Sequence, residues 1–324
     1  MKIAIVTPAA VGTRHGNRVT ALRWARLLRR LGHQVTIRQT YEHDSSDVLI
    51  ALHARRGSSA IHAWRRRQPA RPVILALTGT DVYGDIQSDA AAKESLEIAD
   101  RLVVLQPLAI DELPLHLRPK ARVIYQSAPG PKAAIRPRRG HFEVCVLAHL
   151  RAVKDPFRTA SAARLLPAES KVRVIHLGAS LSTEMEEQAQ KEMRENPRYQ
   201  WLGDVPRTRA LRILARSRLL VQTSLAEGGA NVISEAIAAY VPVLASAIPG
   251  SIGILGRDHP GYFAVGDEKA LAALLWRAEN DTEFYEALKN RSRSLQPLVD
   301  PAREMASWEQ LLHELPSGAR DSHA

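Results

Sequence analysis

The chain of 324 residues has one cysteine, few aromatic residues and no long apolar run. A single cysteine excludes an internal disulfide. Cys145, set in the apolar stretch FEVCVLAHL (142–150), reads as a buried structural thiol rather than a nucleophile. No segment approaches the roughly 18 apolar residues of a membrane-spanning helix, and the opening MKIAIVTPAAVG meets Pro8 too soon to be a signal peptide. A soluble cytoplasmic protein without a membrane span is expected. Also missing are a G-x-G-x-x-G run after the first strand of either half, an Asp-x-Asp pair and a His/Cys cluster with ligand spacing. The first absence argues against a tandem dehydrogenase, and the others leave no metal or resident cofactor to expect. Acidic residues are scarce in one half only: residues 1–140 hold 23 Lys and Arg against 11 Asp and Glu, leaving 22 against 23 for the rest. A basic nucleic-acid-binding protein is one reading of that excess, but no basic-aromatic interleaving accompanies it and no nucleic-acid partner is expected. The others are solvated arginine faces, such as Arg23, Arg26, Arg29 and Arg30, and attraction of a small anionic substrate.

What is present is an alternation of short apolar strands with helical segments, which implies parallel sheets covered on both faces. Strands are expected at 2–7, 33–37, 47–53, 72–78, 101–106 and 121–127, with helices from Arg18 and near 58–68 and 88–99. Residues 128–140, with three prolines, two glycines and a basic cluster, break the pattern and read as a linker. The alternation restarts with strands at 142–150, 171–178, 199–205, 218–224 and 261–265, helices between them, and helical segments near 268–290. The expected fold class is α/β, two Rossmann-like doubly wound domains whose strand ends face a shared cleft. Their bounds are 1–135 and 140–300, with a helix over 301–314 packing back on the first and a disordered tail over 315–324.

One stretch, Thr223 to Ser246 (TSLAEGGANVISEAIAAYVPVLAS), carries the clearest chemistry. It runs from a strand end through Glu227, Gly228, Gly229, Ala230 and Asn231 into a helix bearing Glu235, then through Pro242 into another strand. A helix N-terminus offers unpaired N–H groups and a positive dipole end to a phosphate, and glycine allows close approach. Two carboxylates beside that phosphate suit hydroxyls on either side of it, the layout of a nucleotide-sugar.

Glu227-x7-Glu235 with Gly228, Asn231, Ala236, Pro242 and Val243 resembles the donor-site motif of GT-B glycosyltransferases of the GT4 type. The likeness covers nearly the whole chain. Leu31-Gly32-His33-Gln34-Val35, the stretch Val144 to Lys154, and Trp201-Leu202-Gly203-Asp204 resemble other parts of that family. The resemblance implies that Glu227 holds donor-hexose hydroxyls, Glu235 holds the ribose, and amides from Gly228 to Asn231 face the diphosphate. Lys154 matches the lysine that neutralises the leaving nucleotide. The family's arginine five residues earlier is His149 here, with Arg151 nearby, so either can contact phosphate; His176, at a strand end, is read as bordering the nucleotide or as a packed residue.

The first half narrows the resemblance. GTRHGNRVTALRWARLLRRLGH, LHARR (52–56), LTGTDVY (77–83) and VIYQSA (123–128) look like the glycosyltransferase subgroup that includes selenosugar synthase. That likeness implies two small-molecule partners, a UDP-sugar co-substrate (UDP-glucose or UDP-N-acetylglucosamine) and selenophosphate as acceptor. The selenophosphate grip is expected among Asn17, Arg18, His53, Arg55, Arg56, Thr78 and Thr80, with Asp81 orienting one of them or touching the sugar. Kindred readings are a GT4-type transferase with a hydroxyl acceptor and a nucleotide-sugar 2-epimerase.

Overall fold

The computed structural model describes residues 1–12, 16–42, 45–131, 135, 137 and 140–315. The chain divides into two compact units, Met1–Ser127 with Pro301–Ala324, and Ala128–Asp300.

Unit 1 opens with β1 (Lys2–Val6), α1 (Gly16–Arg30) and β2 (Gln34–Arg38), followed by β3 (Val48–Leu52), α2 (Ser58–Arg67) and β4 (Val73–Leu77). It continues through α3 (Asp85–Ser88), α4 (Ala90–Ile98), β5 (Arg101–Val104) and β6 (Ala121–Val123). All pairings are parallel and the strand order is β2-β1-β3-β4-β5-β6. The sequences VLIAL and VILAL of β3 and β4 are buried at every position, as central strands of a sheet covered on both faces must be. The order reverses between β1 and β3, which opens a crevice at their C-terminal ends.

Unit 2 comprises β7 (Phe142–Leu147), α5 (Arg158–Arg164), β8 (Val172–Leu177), α6 (Thr183–Glu195), β9 (Tyr199–Trp201) and α7 (Arg207–Arg216). After these come β10 (Leu219–Gln222), α8 (Asn231–Ala238), β11 (Val243–Ser246), α9 (Pro249–Leu255), β12 (Tyr262–Phe263), α10 (Glu268–Asn280) and α11 (Thr282–Ser294). The parallel sheet has the order β12-β11-β10-β7-β8-β9, with its reversal between β7 and β10. Local signals start several helices: the side chains of Ser182, Asp267 and Asp281 accept backbone N–H groups at the N-termini of α6, α10 and α11. Cys145 lies in the core, where burial pushes its thiol pKa up and keeps it unreactive.

The last helix, α12 (Pro301–His313), belongs to unit 1. Trp308 meets Trp24 of α1 edge to face at 4.8 Å. The buried Glu304 carboxylate accepts hydrogen bonds from Trp24 Nε1 at 2.7 Å, Arg23 Nε at 3.2 Å and the Ser127 N–H at 2.8 Å. Leu315, expected to begin a disordered tail, instead packs in this core, because its apolar side chain extends the buried face of α12; residues 316–324 lie outside the described residues. The chain changes unit at Ser127–Ala128, ahead of the expected boundary. Ala128 is buried in the core of unit 2 and its N–H bonds to Val299 O at 3.1 Å, so the start of the expected linker is packed chain; residues 132–134, 136, 138 and 139 of it lie outside the described residues. Among the described residues no helix is long and apolar enough to cross a membrane.

Candidate functional site

In unit 2 the loops after β7 and β10 meet at the reversal of strand order. Thr223 Oγ1 lies 2.9 Å from both Lys154 O and Asp155 O, and the Leu225 N–H reaches Val153 O at 2.9 Å. These bonds strap the two loops together, and Asp155 turns the first in a left-handed conformation (φ +42°). Lys154, which closes a 3₁₀ turn over Ala152–Lys154, therefore points at Glu227 and its Nζ donates to Glu227 Oε1. Ser224 Oγ donates to the same oxygen at 2.7 Å. Behind them Gly250, at the start of α9, lets the Glu227 carbonyl approach so closely that an added Cβ would lie 2.0 Å from it. The sequence reading missed α9 and the roles of Ser224 and Gly250; Ile248-Pro249-Gly250, with proline in the first helical turn, was the available signal.

Gly228, Gly229 and Ala230 are buried and lead into α8, whose start at Asn231 has no capping side chain at Ala230 and no acidic residue in its first turn. With no acidic side chain in that turn, the positive end of the α8 dipole favours an anion. Glu235 projects one turn further on with 4% of its surface exposed, and Arg207, at the first position of α7, holds its carboxylate by an ion pair. Arg207 was not among the residues expected at this site.

The three remaining donor-side candidates differ in kind. His149 is half-buried and its Nδ1 accepts the Ala179 N–H at 3.0 Å, whereas Arg151 is exposed at the start of the Lys154 turn. His176 is corrected to a packing residue. It is fully buried, Nε2 bonds to Ala148 O at 3.0 Å, and Nδ1 to the Tyr199 hydroxyl at 2.9 Å, so neither ring nitrogen is left for a nucleotide. Burial lowers its pKa to about 4, and the neutral ring holds the loop that carries His149.

Unit 1 gathers part of its expected set at the ends of β1, β3 and β4. Thr78 Oγ1 donates to Asn17 Oδ1 at 2.9 Å, and Arg18 has a buried Nη1 with no partner among the described residues. Asp81 is fully buried. Its two oxygens accept the N–H groups of Ala54 at 2.9 Å and Gly79 at 2.8 Å, which ties the loop after β3 to the loop after β4; burial pushes its carboxyl pKa up. His53 is nine-tenths buried in a left-handed conformation (φ +76°) and lies 3.9 Å from Asp81 by Nδ1. Such a backbone is uncommon outside glycine and is found where surrounding structure enforces it. The Thr80 and Arg56 side chains are exposed, and Arg55 is drawn instead to Asp85, a residue sequence reasoning passed over.

Among the described residues no group of three or more His, Cys, Asp or Glu side chains is arranged to hold a metal ion. The family profile of the glycosyl transferases group 1 matches residues 132–295, half of the chain. Glycosyltransferase 1 domain-containing protein 1 of Xenopus tropicalis is 26% identical over 287 residues, which cover 81% of this chain and 83% of that protein. Among solved structures, two examples align over 97% of this chain. Anabaena Alr3699/HepE in complex with UDP-glucose does so with a TM-score of 0.76 at 14% identity over 100% of its own chain. Sucrose-phosphate synthase (tll1590) from Thermosynechococcus elongatus does so with a TM-score of 0.75 at 16% identity over 98% of its own chain.

Proposed function

Since the chain belongs to the glycosyl transferases of group 1 and has the GT-B fold of two Rossmann-like domains, we propose that it moves a hexose from a UDP-sugar held by unit 2 to selenophosphate held by unit 1. The observation that carries the donor half is the pairing of Lys154 with Glu227 beside the uncapped start of α8. Breaking the anomeric C–O bond leaves an electron pair on the departing diphosphate. Stabilising that charge with preorganised donors is the main catalytic task. Lys154, the N–H groups at the start of α8, and His149 or Arg151 supply such donors; Glu227 takes hexose hydroxyls and Glu235 the ribose. A lysine and a carboxylate that neutralise each other can part when a ligand offers the lysine a phosphate and the glutamate a hydroxyl.

Support for the acceptor comes from the likeness of the first half to the selenosugar synthase subgroup, from the basic excess of that half, and from the placing of Asn17 and Arg18 at the start of α1 and of His53, Arg55, Arg56, Thr78, Thr80 and Asp81 on the segments after β3 and β4. In the proposed reaction the C–O bond to UDP breaks, selenium of selenophosphate forms the C–Se bond, and hydrolytic loss of phosphate gives a 1-selenosugar. Selenium that is already ionised needs no general base. The proposed setting is the cytoplasm.

Two measurements test this reading. UDP is expected to raise the melting temperature of the protein. UDP release from UDP-glucose or UDP-N-acetylglucosamine is expected to depend on selenophosphate. Turnover with hydroxyl acceptors and none with selenophosphate would remove the acceptor assignment, and no response to UDP at all would remove the donor assignment.

A further inference from the structure

His53 and Arg55 converge on Asp85, a carboxylate to which the proposed reaction gives no role. The Arg56 N–H donates to His53 Nδ1 at 3.4 Å, which assigns the proton of the neutral ring to Nε2. Among the described residues that N–H has no hydrogen-bond acceptor: the carboxylate oxygen it faces, Asp85 Oδ2, is 3.7 Å away. The same oxygen lies 3.2 Å from Arg55 Nε. Two donors from the loop after β3 thus aim at one oxygen of another element. Burial pushes the His53 pKa down, ahead of the opposing pull of Asp81, which favours the neutral donor form.

The two aspartates near His53 differ in how they are held. Asp81 is fully buried and fixed by two backbone N–H groups, so it frames the loops. Asp85 is partly exposed, follows Gly84 at the start of the four-residue α3, and its carboxylate has no partner among the described residues beyond His53 and Arg55. A carboxylate held only through one long and one moderate contact is the replaceable member of the cluster. A phosphate-class oxyanion offers the same kind of oxygen with more charge, and Arg and His donors suit it.

We propose that the Asp85 carboxylate is a resident anion, holding the position of one oxygen of a phosphate-class ligand that displaces it from His53 Nε2 and the Arg55 guanidinium. This rests on reading unit 1 as the acceptor-binding half. It adds a residue that opposes binding rather than assisting it, so removing that residue has the opposite sign from removing any other member of the cluster.

The test is calorimetric titration of the full chain with inorganic phosphate, which needs neither a sugar donor nor turnover. Asp85→Asn is expected to tighten phosphate binding about tenfold, the order expected from removing one partly screened charge within a few ångströms. Arg55→Gln and His53→Asn are expected to weaken it by a similar factor; asparagine tolerates the left-handed backbone at that position. Asp85→Ser, with folding checked by circular dichroism, repeats the first result without the amide. Unchanged or weaker phosphate binding in both Asp85 variants would overturn the proposal and make Asp85 a fixed partner of Arg55, as would phosphate that fails to bind wild type and Asp85→Asn alike. Tighter phosphate binding by Asp85→Asn together with no turnover of selenophosphate would keep this site and sink the acceptor assignment instead.

Discussion

Glu235 and Lys154 show how much a side chain's role depends on its partner. Glu235 is almost wholly buried on α8, and Arg207 is the cation that holds it. If the ribose of UDP bonds to Glu235, Glu235→Ala removes most of the rise in melting temperature that UDP produces. Arg207→Gln, which leaves the carboxylate in place but loosens it, reduces that rise by less. An undiminished UDP effect in Glu235→Ala would refute the ribose role. Lys154 acts on the charge that develops on the leaving diphosphate. Lys154→Met is therefore expected to lower kcat on the order of 10²–10³-fold, the cost typical of losing one preorganised donor. UDP release measured at saturating donor checks this, and a loss confined to KM would mean that Lys154 only binds.

Among the elements, α12 has the largest structural consequence. It lies at the far end of the chain from α1 yet completes the same core, through Trp308 against Trp24 and through Glu304, whose carboxylate meets Trp24, Arg23 and Ser127. Glu304→Ala takes the acceptor from the buried Trp24 and Ser127 N–H groups and breaks the ion pair with Arg23, and a loss of about 3–5 kcal/mol is expected from breaking such a buried pair. Trp308→Ala is expected to cost about the same through the cavity it leaves. Urea unfolding of each variant measures both. A fragment of residues 1–135 is expected to stay unfolded unless residues 301–315 are supplied, because it exposes the α1 face that α12 covers. Cooperative unfolding of that fragment alone would contradict the account of this core.

For the molecule as a whole, pH acts on stability through buried neutral histidines. Burial lowers the pKa of His176 and of His259 to about 4, against an ordinary value of 6.5. Below 6.5 the unfolded chain takes up protons that the folded chain refuses. The stability these residues contribute is complete above about pH 6.5 and is lost as pH falls toward 4, by up to about 3 kcal/mol for each. Urea midpoints are expected to fall across that window, and to fall less steeply in His176→Asn. An equal slope in the variant would show that His176 does not carry its share.

By itself the sequence determined the alternation of strands and helices, because strands buried on both faces, such as VLIAL and VILAL, must be written as unbroken apolar runs. The starts of α6 and α10 were also legible, because a cap acts on N–H groups two or three residues away, whereas the break that separates α11 from α10 was not. The sequence also determined the Glu227-to-Glu235 stretch, where one loop and one helix turn hold both carboxylates. Helix α9 escaped notice because PGSIGIL carries two glycines, which weigh against a helix locally, while packing of Gly250 against Glu227 favours it. Only the tertiary structure decided which strands are neighbours, that His176 packs rather than binds, that Lys154 pairs with Glu227 and Arg207 with Glu235, and that His53 and Arg55 converge on Asp85. The physical reason is range. Backbone propensity and capping act over a few residues, whereas a charge takes its partner from whatever the sheet order brings within a few ångströms, and for Lys154 and Glu227 that partner lies 73 residues along the chain.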